Sequence, residues 1–208
     1  AEDMQKKERE FSPTVPAFMT EDIEKGVNEG ALRGTAMHRY MECFDFHRDD
    51  YKDAYEAELN RMYDEGKLEE KQKALLSREK IETFLKSDLA RRMHDAAVRD
   101  ELYEERAFVF GDTAESLFSG IDEAAGGENK DLIMVQGIID AFFIEDGEIV
   151  VLDYKTDRVK NADELKALYN KQLEIYGNAI SKAFDMPVKE EYLYSFSLNE
   201  TILLWHDL

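Results

Sequence analysis

The sequence predicts a mixed α/β (α+β) domain, with a helical region followed by a central mixed sheet flanked by helices. Residues 20–97 are rich in Ala, Leu, Met, Glu and Lys, which favour helices. From residue 101 onward, apolar runs of strand-forming residues alternate with turn signals. We therefore expect a polar lead-in or linker end over residues 1–19 and a single domain over residues 20–208.

Within the helical region, the breaks between elements follow from caps and glycines. Residues 20–26 predict a short helix that ends at a glycine. Residues 35–85 predict two or three helices, with breaks at Gly66 and Ser77. Residues 88–97 predict one more short helix before the sheet begins.

The sheet is expected to begin over residues 102–110, where aromatic and β-branched residues concentrate. Glycines and acids over residues 120–130 predict an exposed hairpin loop. A hairpin follows, and then a helix capped by Asn161 or Asp163 that runs to about residue 184. The last strands are expected over residues 187–196 and 200–205, the second of them at an edge.

The hairpin has the strongest local signal in the chain, because Asp146-Gly147 separates two apolar runs. Asp-Gly in this setting favours a two-residue turn. If these two residues form the turn, Glu145 pairs with Glu148. Counting back along both strands then fixes the register of the whole hairpin.

In that register Asp140 lies opposite Asp153, with their Cβ atoms about 4.5–5.5 Å apart on one face. Lys155 is two residues further along and points to the same face. Mg²⁺ prefers oxygen ligands, and a divalent ion between the acids would polarise a phosphoryl oxygen. Lys155 would orient or help deprotonate a water, or neutralise charge. The alternative is a surface hairpin with one exposed Asp on each strand, which the apolar runs around both acids disfavour.

Two helices carry further polar pairs. His38 and Glu42 share one helix face, and imidazole is a common ligand of divalent metals. Gln172 and Tyr176 share a face of the helix after the Asp-Tyr-Lys strand, where they can hydrogen-bond a phosphate or a carboxylate. The alternatives are an ordinary surface or core histidine and an amphipathic helix with a polar edge.

Taken in order, these motifs resemble the RecB-like branch of the PD-(D/E)XK nucleases, and within it the C-terminal nuclease domain of AddA-type helicase–nuclease subunits. The resemblance covers residues 16–197. It is carried by Gly34-Thr35-x-x-His38, Gly137-Ile138-Ile139-Asp140, Asp153-Tyr154-Lys155-Thr156-Asp157, Gln172-Leu173-x-x-Tyr176 and Tyr192-Leu193-Tyr194-Ser195-Phe196.

The resemblance implies a restriction-endonuclease-like core and a role for each matching residue. It implies Mg²⁺ as the cofactor, with Mn²⁺ as an alternative, and Glu105 or equally Glu104 as an acid leading into a strand. The implied metal ligands are His38, Asp140, Asp153 and the Tyr154 carbonyl; the implied catalytic lysine is Lys155, supported by Gln172 and Tyr176.

The function implied by the resemblance is exonucleolytic hydrolysis of DNA, acting on the strand ending 3′ while double-strand break ends are processed for recombinational repair. The implied partners are linear DNA ends with a single strand, a helicase region of the same polypeptide and an AddB-type subunit. The alternatives are a non-catalytic DNA- or subunit-binding module, a free-standing phage-like exonuclease, and a phosphoesterase acting on small molecules.

Composition limits these functions further. The net charge of −20 opposes DNA binding, so we expect weak intrinsic affinity with strong salt sensitivity. Cys43 is the only cysteine; it is expected to be a buried small residue and excludes a four-cysteine iron–sulfur cluster within this chain. The chain has no phosphate-binding loop for ATP, no apolar run of about 20 residues and no secretory signal. A cytoplasmic setting without membrane contact is expected.

Overall fold

The computed structural model describes residues 29–113 and 132–206, which form six α-helices and five strands. The lead-in expected over residues 1–19, the helix at 20–26 and the loop at 120–130 lie outside the described residues. The elements are α1 (Glu29–Glu42), α2 (Tyr55–Asp64), α3 (Glu70–Lys73), α4 (Arg78–Leu85), α5 (Asp88–Val98), β1 (Leu102–Thr113), β2 (Leu132–Glu145), β3 (Glu148–Lys155), α6 (Ala162–Phe184), β4 (Val188–Ser195) and β5 (Glu200–His206).

The helical region is more divided than expected. The prediction of two or three helices over residues 35–85 is wrong, because four helices overlap this range and α1 begins earlier, at Glu29. The break at Gly66 is confirmed, and its φ of 69° suits a residue without a side chain. Ser77 directly precedes α4 as expected. The expected helix over residues 88–97 is α5, which Ser87 caps by accepting a hydrogen bond from the Ala90 N–H.

The five strands form one mixed sheet in sequential order, β1-β2-β3-β4-β5, and the expectation of a mixed sheet is confirmed. The pairs β1–β2, β2–β3 and β4–β5 are antiparallel, whereas β3 and β4 are parallel. Because a parallel pair needs a long connection, α6 lies between β3 and β4 in sequence. The Asn161 side chain caps α6 by accepting a hydrogen bond from the Glu164 N–H.

The hairpin between β2 and β3 has the predicted turn. Asp146 and Gly147 both have positive φ, 56° and 83°, as a type I′ turn requires. Glu145 pairs with Glu148, and the register is the one read from the sequence.

Apolar side chains cover both faces of the sheet. One face packs against helices α1–α5 through residues such as Phe143, Leu152 and Tyr194. The other face packs against α6, where Phe142 and Val151 contact Tyr176 and Ile180. No helix among the described residues is both long and apolar enough to cross a membrane. The helical layer also holds Cys43, which is partly rather than fully buried and packs at the margin of the core.

A charged cluster fastens α5 to the end of the sheet. Arg92 forms two hydrogen bonds with Glu145, of 2.9 and 2.7 Å, and pairs with Glu190 of β4. Its guanidinium also donates to the Tyr192 hydroxyl at 3.3 Å. Lys189 supports the same carboxylate of Glu145 at 2.8 Å. Three elements therefore meet at one half-buried guanidinium.

Candidate active site

Asp140 lies at an interruption in the hydrogen-bonded ladders of β2. The ladder with β1 passes from Glu104–Ala141 to Arg106–Ile139 and leaves out Asp140. The ladder with β3 ends at the pair Ala141–Leu152, one residue short of Asp140. Its carboxylate instead accepts a hydrogen bond of 2.7 Å from the Tyr154 N–H. Asp140 is therefore fixed against β3 by its side chain rather than by its backbone.

Asp153 and Lys155 form a buried ion pair at the end of β3. Lys155 Nζ lies 2.7 Å from Asp153 Oδ2, and both side chains point to the same side of the sheet. Burial raises the pKa of Asp153 to about 6; the charge of Lys155 acts to lower it and that of Asp140 to raise it. Desolvation thus outweighs the ion pair, and the ionised carboxylate is held at a cost in free energy.

His38 approaches the acids from α1. Its Nδ1 lies 3.5 Å from Asp140 Oδ2. Burial acts to lower the pKa of His38, but the hydrogen bond and the charge of Asp140 outweigh burial and raise that pKa. Gly34, one turn earlier, allows the close approach of α1, because a Cβ there would lie 2.8 Å from Thr156 Oγ1. The helix is therefore seated directly against the segment that follows Lys155.

Helix α6 brings two polar side chains to the same place. Gln172 Nε2 donates to the Tyr176 hydroxyl at 2.8 Å, and Gln172 Oε1 accepts from Lys155 Nζ at 3.5 Å. Burial raises the pKa of Tyr176 to about 12, so the hydroxyl keeps its proton. The two residues form one hydrogen-bonded unit that ends on the lysine.

Tyr176 is seated against Gly137 of β2. A Cβ on Gly137 would lie 2.8 Å from Phe108 Cε1 and 3.3 Å from Tyr176 Cε1. The Phe108 and Tyr176 rings pack edge to face, 5.3 Å apart. The missing side chain of Gly137 is therefore the space that both rings need.

We expect Gly137→Ala to destabilise the protein by about 1–3 kcal/mol, because neither stiff ring can yield without moving the other. Gly111→Ala on β1 is the matched control, since its Cβ would meet only the flexible thioether of Met134. That control is expected to cost less than about 0.5 kcal/mol. Urea unfolding measures both, and equal losses would show that the ring contacts do not explain the glycine.

Glu104 and Glu105 both lie inside β1 rather than before it. Glu105 has a φ of 47° and is the residue of β1 opposite Asp140, whereas Glu104 pairs with Ala141. Burial, then Glu42 and Asp140, raises the pKa of Glu105. Burial and other acids, Asp45 first, raise the pKa of Glu104 to about 8. Of these two acids, only Glu105 interacts electrostatically with Asp140.

The donor groups at this site are those that a divalent cation accepts: two carboxylates and an imidazole. Asp153 Oδ2 is buried and receives no hydrogen bond of acceptable geometry, although Lys155 is near. This unsatisfied oxygen fits a metal ligand. Among residues 29–113 and 132–206, however, no three His, Cys, Asp or Glu side chains already converge as a metal cluster. The Tyr154 side chain packs into the core against Phe84, so only its backbone faces the site.

This architecture and these residues define a class of nuclease. The chain belongs to the PD-(D/E)XK nuclease superfamily, whose family model matches residues 15–203. The five-stranded mixed sheet flanked by helices is consistent with the restriction-endonuclease-like fold of that superfamily.

The curated relatives narrow this class. Their names describe them as ATP-dependent helicase/nuclease subunits of the AddA type. The chain is 35% identical to the protein of Clostridium botulinum (strain Alaska E43 / Type E3), covering 91% of the chain and 15% of that relative. The proteins of Lachnoclostridium phytofermentans and Clostridium beijerinckii are 30% and 34% identical and cover 92% and 93% of the chain. The chain is therefore a nuclease domain homologous to AddA-type subunits, and it spans about 15% of the length of these relatives.

A solved structure described as "Crystal structure of SSO0001" aligns over 88% of the chain and 80% of its own length. The TM-score is 0.35 at 12% identity, which is too low to support an argument.

Proposed function

We propose that this chain is a metal-dependent DNA exonuclease domain of an AddA-type helicase–nuclease, which hydrolyses the strand ending 3′ at double-strand breaks. The observation that carries the proposal is the meeting of Asp140, Asp153, Lys155 and His38 at the adjoining ends of β2, β3 and α1. The names of the relatives support a helicase region in the same polypeptide and DNA as the substrate. An AddB-type subunit is the proposed partner.

The proposed metal is Mg²⁺, held by His38, Asp140, Asp153 and the Tyr154 carbonyl. When bound, it supplies Lewis-acid stabilisation of the negative charge that develops on the phosphoryl oxygens. Lys155 orients the attacking water and donates to the developing charge. Gln172, itself held by Tyr176, keeps the ammonium of Lys155 in place through its side-chain oxygen.

The test is degradation of linear single-stranded DNA, labelled at either end, at low salt. Low salt is needed because a chain with a net charge of −20 repels phosphates and gains little from counterion release. We expect cleavage with Mg²⁺, none with EDTA and none with Lys155→Ala. Label release from the 3′ end first would support the proposed polarity. A folded protein that binds DNA without cutting it, alone or joined to its helicase region, would favour a non-catalytic module.

Metal affinity is expected to fall as the pH is lowered from 8 to 5. His38, whose pKa is raised, and Asp153, whose pKa is about 6, take up protons in this range, and each proton competes with the metal. Each competing proton weakens binding by about tenfold per pH unit below its pKa. Calorimetric titration with Mn²⁺ measures the slope.

His38→Gln should reduce that slope by one proton. His47→Gln is the matched control, because His47 is exposed and pairs with Asp45 away from the site. A slope that His38→Gln leaves unchanged would exclude His38 as a ligand.

A further inference from the structure

We propose that Tyr169 is a positioning residue, whose ring holds the ammonium of Lys155 toward the reacting phosphate. Lys155 Nζ lies 4.0 Å from the centroid of the Tyr169 ring. The proposal rests on the proposed function, in which Lys155 carries part of the chemistry. The sequence patterns that identified Lys155 and Gln172 did not single out Tyr169.

Three groups surround the ammonium of Lys155 on different sides. Asp153 Oδ2 lies at 2.7 Å and Gln172 Oε1 at 3.5 Å, and the ring of Tyr169 completes the enclosure. The Lys155 side chain is only 12% exposed. A lysine has a flexible four-carbon stem, so the direction of its ammonium depends on what encloses it.

The ring of Tyr169 is itself held in place. Its hydroxyl donates to Asp157 Oδ2 at 3.1 Å, which ties α6 to the segment after β3. Its body packs on the apolar cluster that includes Leu165 and Leu193. Tyr169 lies one helical turn before Gln172, so both project from the same face of α6. The ring and the carboxamide therefore approach the ammonium from one rigid helix.

A ring face attracts a cation through its quadrupole, and the attraction is strongest where water is excluded. An aliphatic side chain of similar size fills the same space without that attraction. Without the ring, the ion pair with Asp153 dominates the position of Nζ. We therefore expect the loss to appear in kcat, because the ammonium acts on the reacting group, while KM stays unchanged.

The first test compares Tyr169→Leu and Tyr169→Phe. Tyr169→Leu should lower kcat by about 3- to 30-fold at unchanged KM, and Tyr169→Phe, which keeps the ring, should restore most of the rate. Leu198→Ala is the packing control, because Leu198 packs on the same apolar cluster as Tyr169. In a Lys155→Ala background, Tyr169→Leu should cause no further loss.

The second test does not require catalysis. In the metal-free protein, the ring current of Tyr169 should shift the NMR resonances of the Lys155 ε-methylene upfield. The shift should persist in Tyr169→Phe and vanish in Tyr169→Leu. A shift that survives Tyr169→Leu, or a kcat for Tyr169→Leu equal to that of Leu198→Ala, would overturn the proposal. Wild-type protein that shows the shift but never cleaves DNA would instead refute the proposed nuclease and retain the cation–ring contact.

Discussion

Asp153→Asn is expected to abolish DNA cleavage and at the same time to stabilise the metal-free protein. The variant loses one proposed metal ligand and the ion-pair partner of Lys155. We expect a fall in rate of at least about 1000-fold, which corresponds to about 4 kcal/mol of lost transition-state stabilisation. Single-turnover cleavage of end-labelled DNA with Mg²⁺ measures this loss.

The gain in stability follows from the pKa of Asp153. That pKa is about 6 in the folded protein and near 3.8 when the residue is unperturbed, so the folded state binds the proton more tightly. As the pH rises from about 4 to 6, the unfolded chain releases its proton first and the folded state loses stability. Above pH 6 the penalty is complete, and it amounts to about 1–3 kcal/mol. Asn carries no charge and avoids this penalty.

The free energy of unfolding of Asp153→Asn should therefore exceed that of the wild type at pH 7, and the difference should vanish below about pH 4. Urea unfolding in EDTA at several pH values measures it. Asp64→Asn removes an equal charge from an exposed position at the end of α2 and should change stability little. A destabilised Asp153→Asn at pH 7 would show that the ion pair with Lys155 outweighs desolvation.

Arg92→Ala is expected to destabilise the protein by about 2–4 kcal/mol, because it leaves Glu145 and Glu190 half-buried without their shared cation. Only Lys189 would remain beside Glu145. Arg91→Ala on the same helix is the matched control. Arg91 pairs with exposed acids only, so its removal should cost less than about 1 kcal/mol.

The pH dependence identifies the mechanism of that loss. The hydrogen bonds of Arg92 lower the pKa of Glu145 to about 2, so this pair stabilises the fold above the ordinary pKa of glutamate, near 4.5. The stabilisation is lost as the pH falls from about 4.5 through 2. The difference in unfolding free energy between wild type and Arg92→Ala should therefore shrink in that range. A difference that stays constant to pH 2 would assign the loss to packing alone.

Local signals in the sequence were sufficient for much of the sheet. Asp146-Gly147 sets both the turn and the register of β2 and β3, because a two-residue turn leaves no freedom in pairing. The cap at Asn161 fixes the start of α6. The helical region was harder, since the break between α1 and α2 depends on packing around a short 3₁₀ helix, Tyr51–Asp53, rather than on a glycine or proline.

For the site, periodicity put Gln172 and Tyr176 on one helix face, and they hydrogen-bond each other. The sequence did not reveal the contact between Tyr169 and Lys155, because it depends on how α6 docks against β3. The interruption at Asp140 was equally hidden, since the left-handed conformation of Glu105 beside it has no signature in residue type. Contacts that depend on docking and on irregular backbone lie beyond periodicity.

The proposed site is uneven in its connectivity along the chain. Asp140, Asp153, Lys155 and Gln172 come from one strand–turn–strand–helix stretch, and their mutual contacts close short loops. His38 alone comes from the helical layer, and its 3.5 Å approach to Asp140 closes a long loop. A partially opened state that releases the helical layer would keep the lysine pocket and lose the imidazole. The temperature range over which this site stays complete is therefore set by the docking of α1, not by the melting of the sheet.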